Sequence, residues 1–267
     1  MSLTTRKMPS FEGVAAGQTA TLRLPIGLTF HKLLVAYSGV TLAQMTEARL
    51  VANGKTIQRW LSGTVLDKVN TFDGMNAAAG VLTLDATRYG LRTRPGEEYT
   101  AIGTGHPEDK RPISTLSLEI DIDAAAAAPV LSCKAVQSAA RPVGELKHVR
   151  VFGYDPAGAG EYEISDLPKM GKINRVIFLS AAAVINNIKL EVDNYTRFDR
   201  TKAENEVMQA NGVRVPQATY YIVDFSEQGN GQDAVPVVGL NDLRFILDMA
   251  GGGHVDAIVE YIAPLSN

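Results

Sequence analysis

The stretch TLSLEIDIDAAAAAP (residues 115–129) combines a regular β pattern with an abrupt change of composition. Four aliphatic residues alternate with polar residues in its first half: Leu116, Leu118, Ile120 and Ile122. This period of two places all four on one face of a strand. The five alanines that follow end at a proline and are too few for a stable helix, so we predict a tight connector at residues 124–129. The connector would separate a domain at residues 1–123 from a domain at residues 130–267.

The segments on the two sides of this connector follow one order. Each side contains a strand ending in Leu-Pro, a second strand, a hairpin, a helix-like segment and closing strands. The hairpin turns and helices are Asn53-Gly54 with residues 62–74, and Asp193-Asn194 with residues 201–212. Matching segments are offset by about 139 to 143 residues, and TLSLEIDID is matched with DAIVEYIAP as the closing strand. A period of one domain length predicts a tandem duplication of one β-sandwich rather than a solenoid.

Each predicted helix carries a recurring set of apolar residues. The sets are Val65, Val69 and Phe72 in the first helix, and Ala203, Val207 and Ala210 in the second. The second helix opens with Thr201 and Glu204 in the spacing of a capping box. We therefore interpret both segments as helices inserted into β-sandwiches.

Composition excludes several classes of protein. The net charge of −3 and the isoelectric point near 5.9 are unlike those of proteins with a basic nucleic-acid groove. Arg88, Arg92 and Arg94 form the densest positive cluster, which we interpret as solvated surface. Cys133 is the single cysteine, so an internal disulfide is excluded and folding in a reducing cytoplasm is expected. We find neither a signal peptide nor a transmembrane run of 18 apolar residues, and we expect any membrane contact to be peripheral.

Motifs for metal or phosphate chemistry are missing from the sequence. The four histidines are isolated from one another, so the paired histidines of a cupin metal site are absent; they are His31, His106, His148 and His254. We interpret each of them as a surface or loop residue. The glycine-rich segments at residues 158–162, 229–233 and 251–254 lack the Lys-Ser/Thr ending of a P-loop and are predicted turns.

Paired carboxylates leave one alternative open. Asp121 and Asp123 alternate on the outward face of one strand, and Asp193 and Asp199 flank a hairpin. Paired acids serve glycosidases or coordinate Ca²⁺, but solvated strand faces have the same pattern. We predict no catalytic or cofactor-binding residue. A glycan-binding or glycan-cleaving β-sandwich remains the alternative, with weak support from adjacent Tyr220 and Tyr221, of which one should point outward.

Six stretches, in order over nearly the whole chain, carry a resemblance to a known family. They are VAAGQTATLRLPIG (14–27), YSGVT (37–41), DIDAAAAAPVLS (121–132), EISDLP (163–168), TYYIVDF (219–225) and DAIVEY (256–261). In these stretches the chain resembles the major capsid protein of corticoviruses, the marine bacteriophages with an internal membrane. The match is looser at residues 88–112 and 141–160, where we expect surface loops.

The resemblance implies an all-β double jelly roll, that is, two tandem eight-stranded β-sandwiches with short inserted helices, and a structural protein rather than an enzyme. It also implies a homotrimer whose six sandwiches form a pseudo-hexagonal capsomer in an icosahedral shell around an internal membrane. The implied partners are further copies of the chain, a vertex or penton protein, and the internal viral membrane or its proteins. Direct nucleic-acid binding is not expected. The protein would be made in the host cytoplasm and reside in the virion capsid.

Three expectations concern particular parts of the capsid protein. Arg6 and Lys7, on an N-terminal segment expected to be poorly ordered, are predicted to contact anionic lipid headgroups. Structural calcium is expected because such shells are often divalent-dependent, but the metal ligands are unknown. The helices at residues 62–74 and 201–212 are expected either at seams between subunits or at the outer surface of the shell.

Overall fold

Strands that pair mainly antiparallel build two units, the first comprising Met1–Val149 with Pro264–Asn267 and the second Arg150–Ala263. The computed structural model describes residues 2–75, 78–110, 112–180 and 184–265. Residues 1, 266 and 267 of the predicted domains lie outside the described residues.

The first unit consists of two sheets. Its strands are β1 (Thr4–Lys7), β2 (Thr19–Arg23), β3 (Thr29–Ser38), β4 (Met45–Ala52), β5 (Lys55–Trp60), β6 (Val81–Asp85), β7 (Ile102–Gly103), β8 (Leu116–Ile122), β9 (Val130–Ser138) and the first half of β10 (Glu145–Tyr154). Its helices are α1 (Gly63–Phe72) and α2 (Arg94–Glu97), the second followed by a 3₁₀ turn. One sheet has the order β1-β9-β3-β6, with β7 beside β3, and the other has the order β2-β8-β4-β5. Phe30 and Leu84 of the first sheet and Leu50 and Leu116 of the second line one small internal cavity, so the core lies between the sheets.

The second unit has the same construction. Its strands are the second half of β10, then β11 (Gly160–Ile164), β12 (Lys172–Leu179), β13 (Ile185–Val192), β14 (Tyr195–Thr201), β15 (Tyr220–Asp224), β16 (Val235–Pro236), β17 (Leu243–Met249) and β18 (Val255–Pro264). Its helix is α3 (Lys202–Gln209). The sheet orders are β10-β18-β12-β15, with β16 beside β12, and β11-β17-β13-β14. Phe178 and Phe245 meet edge to face in the core between these sheets, with ring centroids 5.7 Å apart.

The two units match strand by strand. In chain order β1–β9 correspond to β10–β18, and the matched strands occupy matched places in their sheets. Bulges lie at Phe30–Lys32 and Ile173–Arg175, at Leu50–Val51 and Leu190–Glu191, and at Met45–Glu47 and Ile185–Asn187. Each pair of bulges is offset by 140 or 143 residues. Because a bulge depends on its local pairing, this agreement supports the predicted duplication and double jelly roll.

The predicted domain boundary differs from the structure. Residues 124–129 lie inside the first unit, where they join β8 to β9, and β9 pairs with both β1 and β3. The matching of closing strands also changes, because β8 corresponds to β17 and β9 corresponds to β18. The connection at residues 86–115 is longer than the one at residues 225–242, so the offset of 139 to 143 residues fails after β6. Residues 1–123 lack β9 and do not form a complete sandwich, whereas residues 130–267 contain β9 in addition to all strands of the second unit.

The alanine-rich stretch has small side chains because its backbone packs closely against the turn that contains Gly39 and Gln44. The Asp123 N–H donates to the Gln44 carbonyl (2.8 Å), and the Gln44 amide donates to the Ala125 carbonyl (3.0 Å). Gly39 has a φ of +66°, and a Cβ atom at this position would lie 1.8 Å from the Ala128 carbonyl oxygen. The connector is therefore tight, as predicted, but it joins two strands of the first sandwich rather than two sandwiches.

Two segments that we expected to be irregular are strands. β1 is fully paired along β9, from Thr4 opposite Gln137 to Lys7 opposite Lys134, because the backbone groups at the edge of β9 are otherwise open to water. The expectation of a poorly ordered segment at Arg6 and Lys7 is therefore wrong, although their side chains are exposed. Similarly, β10 occupies much of the predicted loop at residues 141–160.

We predict that Gly39→Ala destabilises the protein more than Gly54→Ala. Both glycines have positive φ, +66° and +75°, so both substitutions add backbone strain of about 1–2 kcal/mol. Only Gly39 faces a backbone oxygen, since no atom lies within 4 Å of a Cβ at Gly54. Displacing that neighbour should cost about 1–3 kcal/mol more. Urea unfolding followed by circular dichroism measures the difference, and equal losses in the two variants would contradict the packing argument.

Candidate assembly surfaces

Helix α1 is packed into the first unit by its apolar residues. Val65, Val69 and Phe72 are buried, and the helix packs against β4, β5 and β6. The Asn70 amide donates to the Thr83 carbonyl at 2.7 Å, which satisfies an acceptor in β6 at the edge of its sheet. α1 is therefore a part of the core.

Helix α3 occupies the matching place in the second unit but is attached by amides. Its predicted capping box is confirmed, with the Thr201 side chain accepting from the Glu204 N–H and the Glu204 carboxylate accepting from the Thr201 N–H. Asn205 and Gln209 face inward, and both side-chain amides donate to the Ile222 carbonyl at 2.7 Å. The edge strand β15 is therefore protected as β6 is, by side-chain amides that donate to a strand carbonyl, but the buried residues of α3 are amides where most of those of α1 are apolar.

The outward face of α3 exposes apolar residues beside Glu204 and Glu206. The residues that we call the α3 apolar patch are Ala203, Val207 and Met208 on the helix and Val213 and Val215 on the segment after it. Val207 is 75% exposed and Met208 is 46% exposed. Four exposed large apolar side chains lie within residues 207–215, and exposed apolar groups that cluster on a surface are typical of a contact with another molecule.

The outer face of the β2-β8-β4-β5 sheet is charged. Arg49 lies at its centre and contacts Glu47 (2.6 Å), Asp121 (2.8 Å) and Glu119 (3.3 Å), while Arg59 contacts Glu47 at 2.8 Å. Because these ion pairs are partly exposed, each contributes about 0–1 kcal/mol to stability. Their main effect is to keep this face hydrated.

The matching face of the second unit has a similar network. Arg244 contacts Asp242 (2.8 Å), Glu191 (2.9 Å) and Glu163 (3.7 Å), and Lys189 also pairs with Glu191. Charged residues are depleted from the centres of protein interfaces, so neither face is suited to a tight apolar contact. Both faces are suited to small polar contacts.

A pair of matched side-chain sites was missed in the sequence. The Asp85 carboxylate accepts from the N–H and hydroxyl of Thr87, both at 2.7 Å, just after β6. The Asp224 carboxylate accepts from the N–H (2.8 Å) and hydroxyl (2.7 Å) of Ser226, just after β15. The signal that identifies them is Asp-x-Thr/Ser at an offset of 139 residues, directly after two alternating strands.

The second unit also buries two ion pairs. Arg214 contacts Asp224 at 2.8 Å, and Arg175 contacts Glu260 at 2.6 Å. The Asn174 amide donates to Glu260 at 3.1 Å, next to the β12 bulge. Buried charges require such partners, since loss of one partner typically costs 3–5 kcal/mol. These groups therefore have a structural role.

The histidines are divided between core and loops. His31 and His148 are each 2% exposed, so the expectation that every histidine lies at the surface is wrong for these two. His31 sits at the β3 bulge, and its Nε2 lies 2.9 Å from the Ser138 hydroxyl. His106 and His254 lie in loops, as predicted.

His254 lies between two carboxylates in the turn before β18. Its Nδ1 is 2.8 Å from Asp155 and its Nε2 is 3.3 Å from Asp256. The Gly253 N–H also donates to the Pro156 carbonyl at 3.0 Å, so two loops meet here. Hydrogen bonds to Asp155 and then Asp256 raise the pKa of His254 above its usual 6.5, because the imidazolium donates to both acids.

The four acids considered for catalysis are held in separate contacts. Asp121 pairs with Arg49 (2.8 Å), Asp123 accepts from the Ala125 N–H (2.7 Å), Asp193 accepts from the N–H groups of Asn241 (2.9 Å) and Asp242 (2.8 Å), and Asp199 accepts from the Asn187 amide (2.9 Å). Each of these contacts stabilises a strand pair or a turn. The contacts therefore give each of the four acids a structural role.

The same contacts bear on a metal site. Among residues 2–75, 78–110, 112–180 and 184–265, no group of three or more His, Cys, Asp or Glu side chains is placed to hold a metal ion. The expected calcium therefore has no such set of side-chain ligands within the described part of one chain.

The adjacent tyrosines are both buried. Tyr220 is 7% exposed and Tyr221 is 3% exposed, so the expectation that one points outward to a glycan is wrong. Helix α3 lies against β13 and β14, and its residues Asn205 and Gln209 donate to the Ile222 carbonyl of β15, so the helix reaches this strand too. The Tyr221 hydroxyl donates to the Arg200 carbonyl.

The three arginines predicted to lie at the surface differ in exposure. Arg88 is buried in the loop after β6, where its backbone N–H donates to the Glu97 carbonyl, so the surface prediction is wrong for this residue. Arg92 and Arg94 are exposed, as predicted. Cys133 is a buried core residue, and desolvation raises the pKa of its thiol to about 12. Within the described ranges, no helix is long and apolar enough to cross a membrane.

The chain is similar to known viral coat proteins over its whole length. The family model of the Viral coat protein P2 N-terminal domain matches residues 5–138, and that of the Viral coat protein P2 C-terminal domain matches residues 146–265. The division between the two matches falls where β9 is joined to β10. The major capsid protein P2 of Pseudoalteromonas phage PM2 is 29% identical over 262 residues, which cover 95% of this chain and 94% of that protein.

Solved structures share this fold. The crystal structure of the major capsid protein P2 from bacteriophage PM2 has a TM-score of 0.92 at 26% identity and covers 100% of this chain and 99% of that chain. A Sulfolobus Turreted Icosahedral Virus structure has a TM-score of 0.70 at 12% identity, covering 99% and 92% of the two chains. The PBCV-1 virus capsid has a TM-score of 0.64 at 10% identity, covering 98% and 93%. The last two likenesses establish the double jelly-roll fold alone.

We predict that His254 and His31 titrate on opposite sides of pH 6.5. The carboxylates raise the pKa of His254, whereas burial lowers the pKa of His31. The stabilising contribution of His254 is fully present below pH 6.5 and is lost as the pH rises through its raised pKa. NMR titration of the imidazole resonances measures both values. Asp155→Asn should lower the His254 pKa and leave that of His31 unchanged, and a His254 pKa at or below 6.5 would refute the contact.

Proposed function

This chain belongs to the Viral coat protein P2 family, and from that premise we propose that it is the major capsid protein of an icosahedral, membrane-containing bacteriophage and works as a homotrimer. As a coat protein it is a structural component of the virion capsid and not an enzyme. The relative in phage PM2 is named a major capsid protein, which supports the same role here.

The duplication is the observation that carries the trimer proposal. One chain contains two units with the same strand order. Threefold association of such a chain produces six similar sandwiches around one axis, and a pseudo-hexagonal block can tile a curved shell. A duplicated chain therefore needs only a trimer to form this block.

The surfaces of the chain fit two kinds of contact. Contacts within a trimer have to be permanent and partly apolar, and the α3 apolar patch has that character. Contacts between trimers are repeated many times over a closed shell, so each can be weak and polar. The hydrated faces around Arg49 and Arg244 have that character.

The remaining partners follow from geometry and charge. A pseudo-hexagonal block does not fit a fivefold position, so we include a separate vertex or penton protein in the proposal. The net charge of −3 opposes direct nucleic-acid binding, which we do not propose. Arg6 and Lys7 present exposed cations on β1, and anionic lipid headgroups of an internal membrane are their proposed partners.

We expect a stable species of three times 28.7 kDa for the purified chain. Light scattering after size exclusion and native mass spectrometry measure the mass directly. A protein that stays monomeric at every concentration tested would remove the trimer proposal and would match the alternative of a glycan-binding sandwich. Structural calcium stays a prediction, and treatment with the chelator EDTA tests it. Trimers and shells that survive EDTA unchanged would contradict a structural role of calcium.

We predict that Arg6→Gln with Lys7→Gln weakens binding to vesicles containing phosphatidylglycerol. Substitution is preferable to deletion, because β1 pairs with β9 and its backbone contacts remain. Adjacent residues of a strand point to opposite faces, so one of the two cations meets the surface directly. A cation near an anionic surface contributes about 1 kcal/mol, so the loss should be at least about 5-fold and at most about 30-fold. Arg92→Gln with Arg94→Gln is the control with the same charge change at exposed positions. Flotation measures binding; equal loss in both variants, or no binding by the unmodified protein, would overturn the membrane contact.

A further inference from the structure

We infer that the α3 apolar patch is the surface on which a second copy of this chain docks in the trimer. This inference rests on the proposed function, since it assigns a contact within the proposed assembly. Of the two locations that the sequence left open for the helix, a seam between subunits and the outer surface of the shell, the inference places α3 at the seam.

The duplication supplies an internal comparison for the helix. Val65, Val69 and Phe72 of α1 are buried in the first unit. At the offset of 139 residues that relates Asn70 to Gln209, the buried residues Leu66 and Asn70 match the buried residues Asn205 and Gln209. The exposed position Lys68 of α1 is then matched by the exposed residue Val207 of α3, so the second copy has an apolar residue where the first copy has a solvated charge.

The orientation of α3 is held by hydrogen bonds. Rotation of the helix to bury Val207 would remove Asn205 and Gln209 from the Ile222 carbonyl. It would leave a buried backbone acceptor without its side-chain donors, which is unfavourable. The apolar side chains therefore stay on the outward face, where a partner can cover them.

An open groove lies beside the patch. It has a volume of about 530 Å³ and lies between α3 and the following segment, lined by Lys202, Ala203, Glu206, Pro216 and Ala218. The Lys202 ammonium donates to the Ala218 carbonyl and lies 3.9 Å from Glu206, so the charged groups form one border of the groove. An apolar centre with a charged border is the usual composition of a protein interface.

A second copy is the occupant that these surfaces favour. A closed threefold ring is heterologous, so each chain must offer two different surfaces, one of which meets the other on the next chain. The strand faces around Arg49 and Arg244 are held in ion-pair networks and are poor candidates for the apolar contact. The α3 apolar patch supplies one of the two required surfaces on the second unit.

Val207→Glu tests the inference in the full chain. Val207 is 75% exposed, so the change should leave the fold intact, which thermal unfolding by circular dichroism can verify. We expect the concentration at which trimers dissociate to rise by about 30-fold or more, as for a central interface residue. Val238→Glu is the matched control, because Val238 is 69% exposed in the same unit but lies in the loop before β17.

The outcomes separate the two proposals. A monomeric unmodified chain refutes the proposed homotrimer itself. A trimeric unmodified chain with a Val207→Glu variant that dissociates no more readily refutes only the docking surface. Equal dissociation of the Val207→Glu and Val238→Glu variants also refutes it, because the effect would then belong to added charge in general.

Cross-linking provides a measurement that does not depend on weakening the trimer. Cys133 is buried and desolvation raises its pKa to about 12, so a maleimide-benzophenone probe will react selectively with Val207→Cys. Illumination should produce a covalent species of twice 28.7 kDa from Val207→Cys and not from Val238→Cys. A trimer that shows no intersubunit cross-link from position 207 would overturn the inference.

Discussion

The placement of β9 between β1 and β3 closes the first sandwich, and β18 has the same place between β10 and β12 in the second. These pairings join strands about a hundred residues apart, and the remaining features of each unit depend on them. The turn before β9 has to pass close to the turn at Gly39, which explains its alanines. The pairing of β9 with β1 also orders the N-terminal segment.

The open edge of each of these sheets is protected by the inserted helix. Asn70 of α1 and Asn205 of α3 each donate to the middle carbonyl of the edge strand. An uncovered edge would offer unpaired backbone groups to any neighbouring strand, which is a hazard for a protein that is concentrated in a shell. With these edges covered, two copies of the chain can associate through specific side-chain contacts rather than by pairing their edge strands.

The two halves have kept their backbone and changed their surfaces. Bulges and the Asp-x-Thr/Ser turns at Asp85 and Asp224 recur at matched positions, since they hold the strands in register. The helices have diverged: most residues that α1 buries are apolar, whereas those that α3 buries are amides. Such asymmetry would suit the proposed threefold ring, in which each contact joins two different surfaces.

Local signals in the sequence determined the strands with alternating residues, the hairpin at Asn53-Gly54, the capping box at Thr201 and the existence of a duplication. These features depend on backbone dihedrals and side chains within a few residues of each other. The tertiary structure decided that β9 belongs to the first sandwich, that Tyr220 and His31 are buried, and that Val207 faces outward. Burial depends on which distant strand or helix covers a face, and an alternating pattern is the same whether its second face meets water or protein.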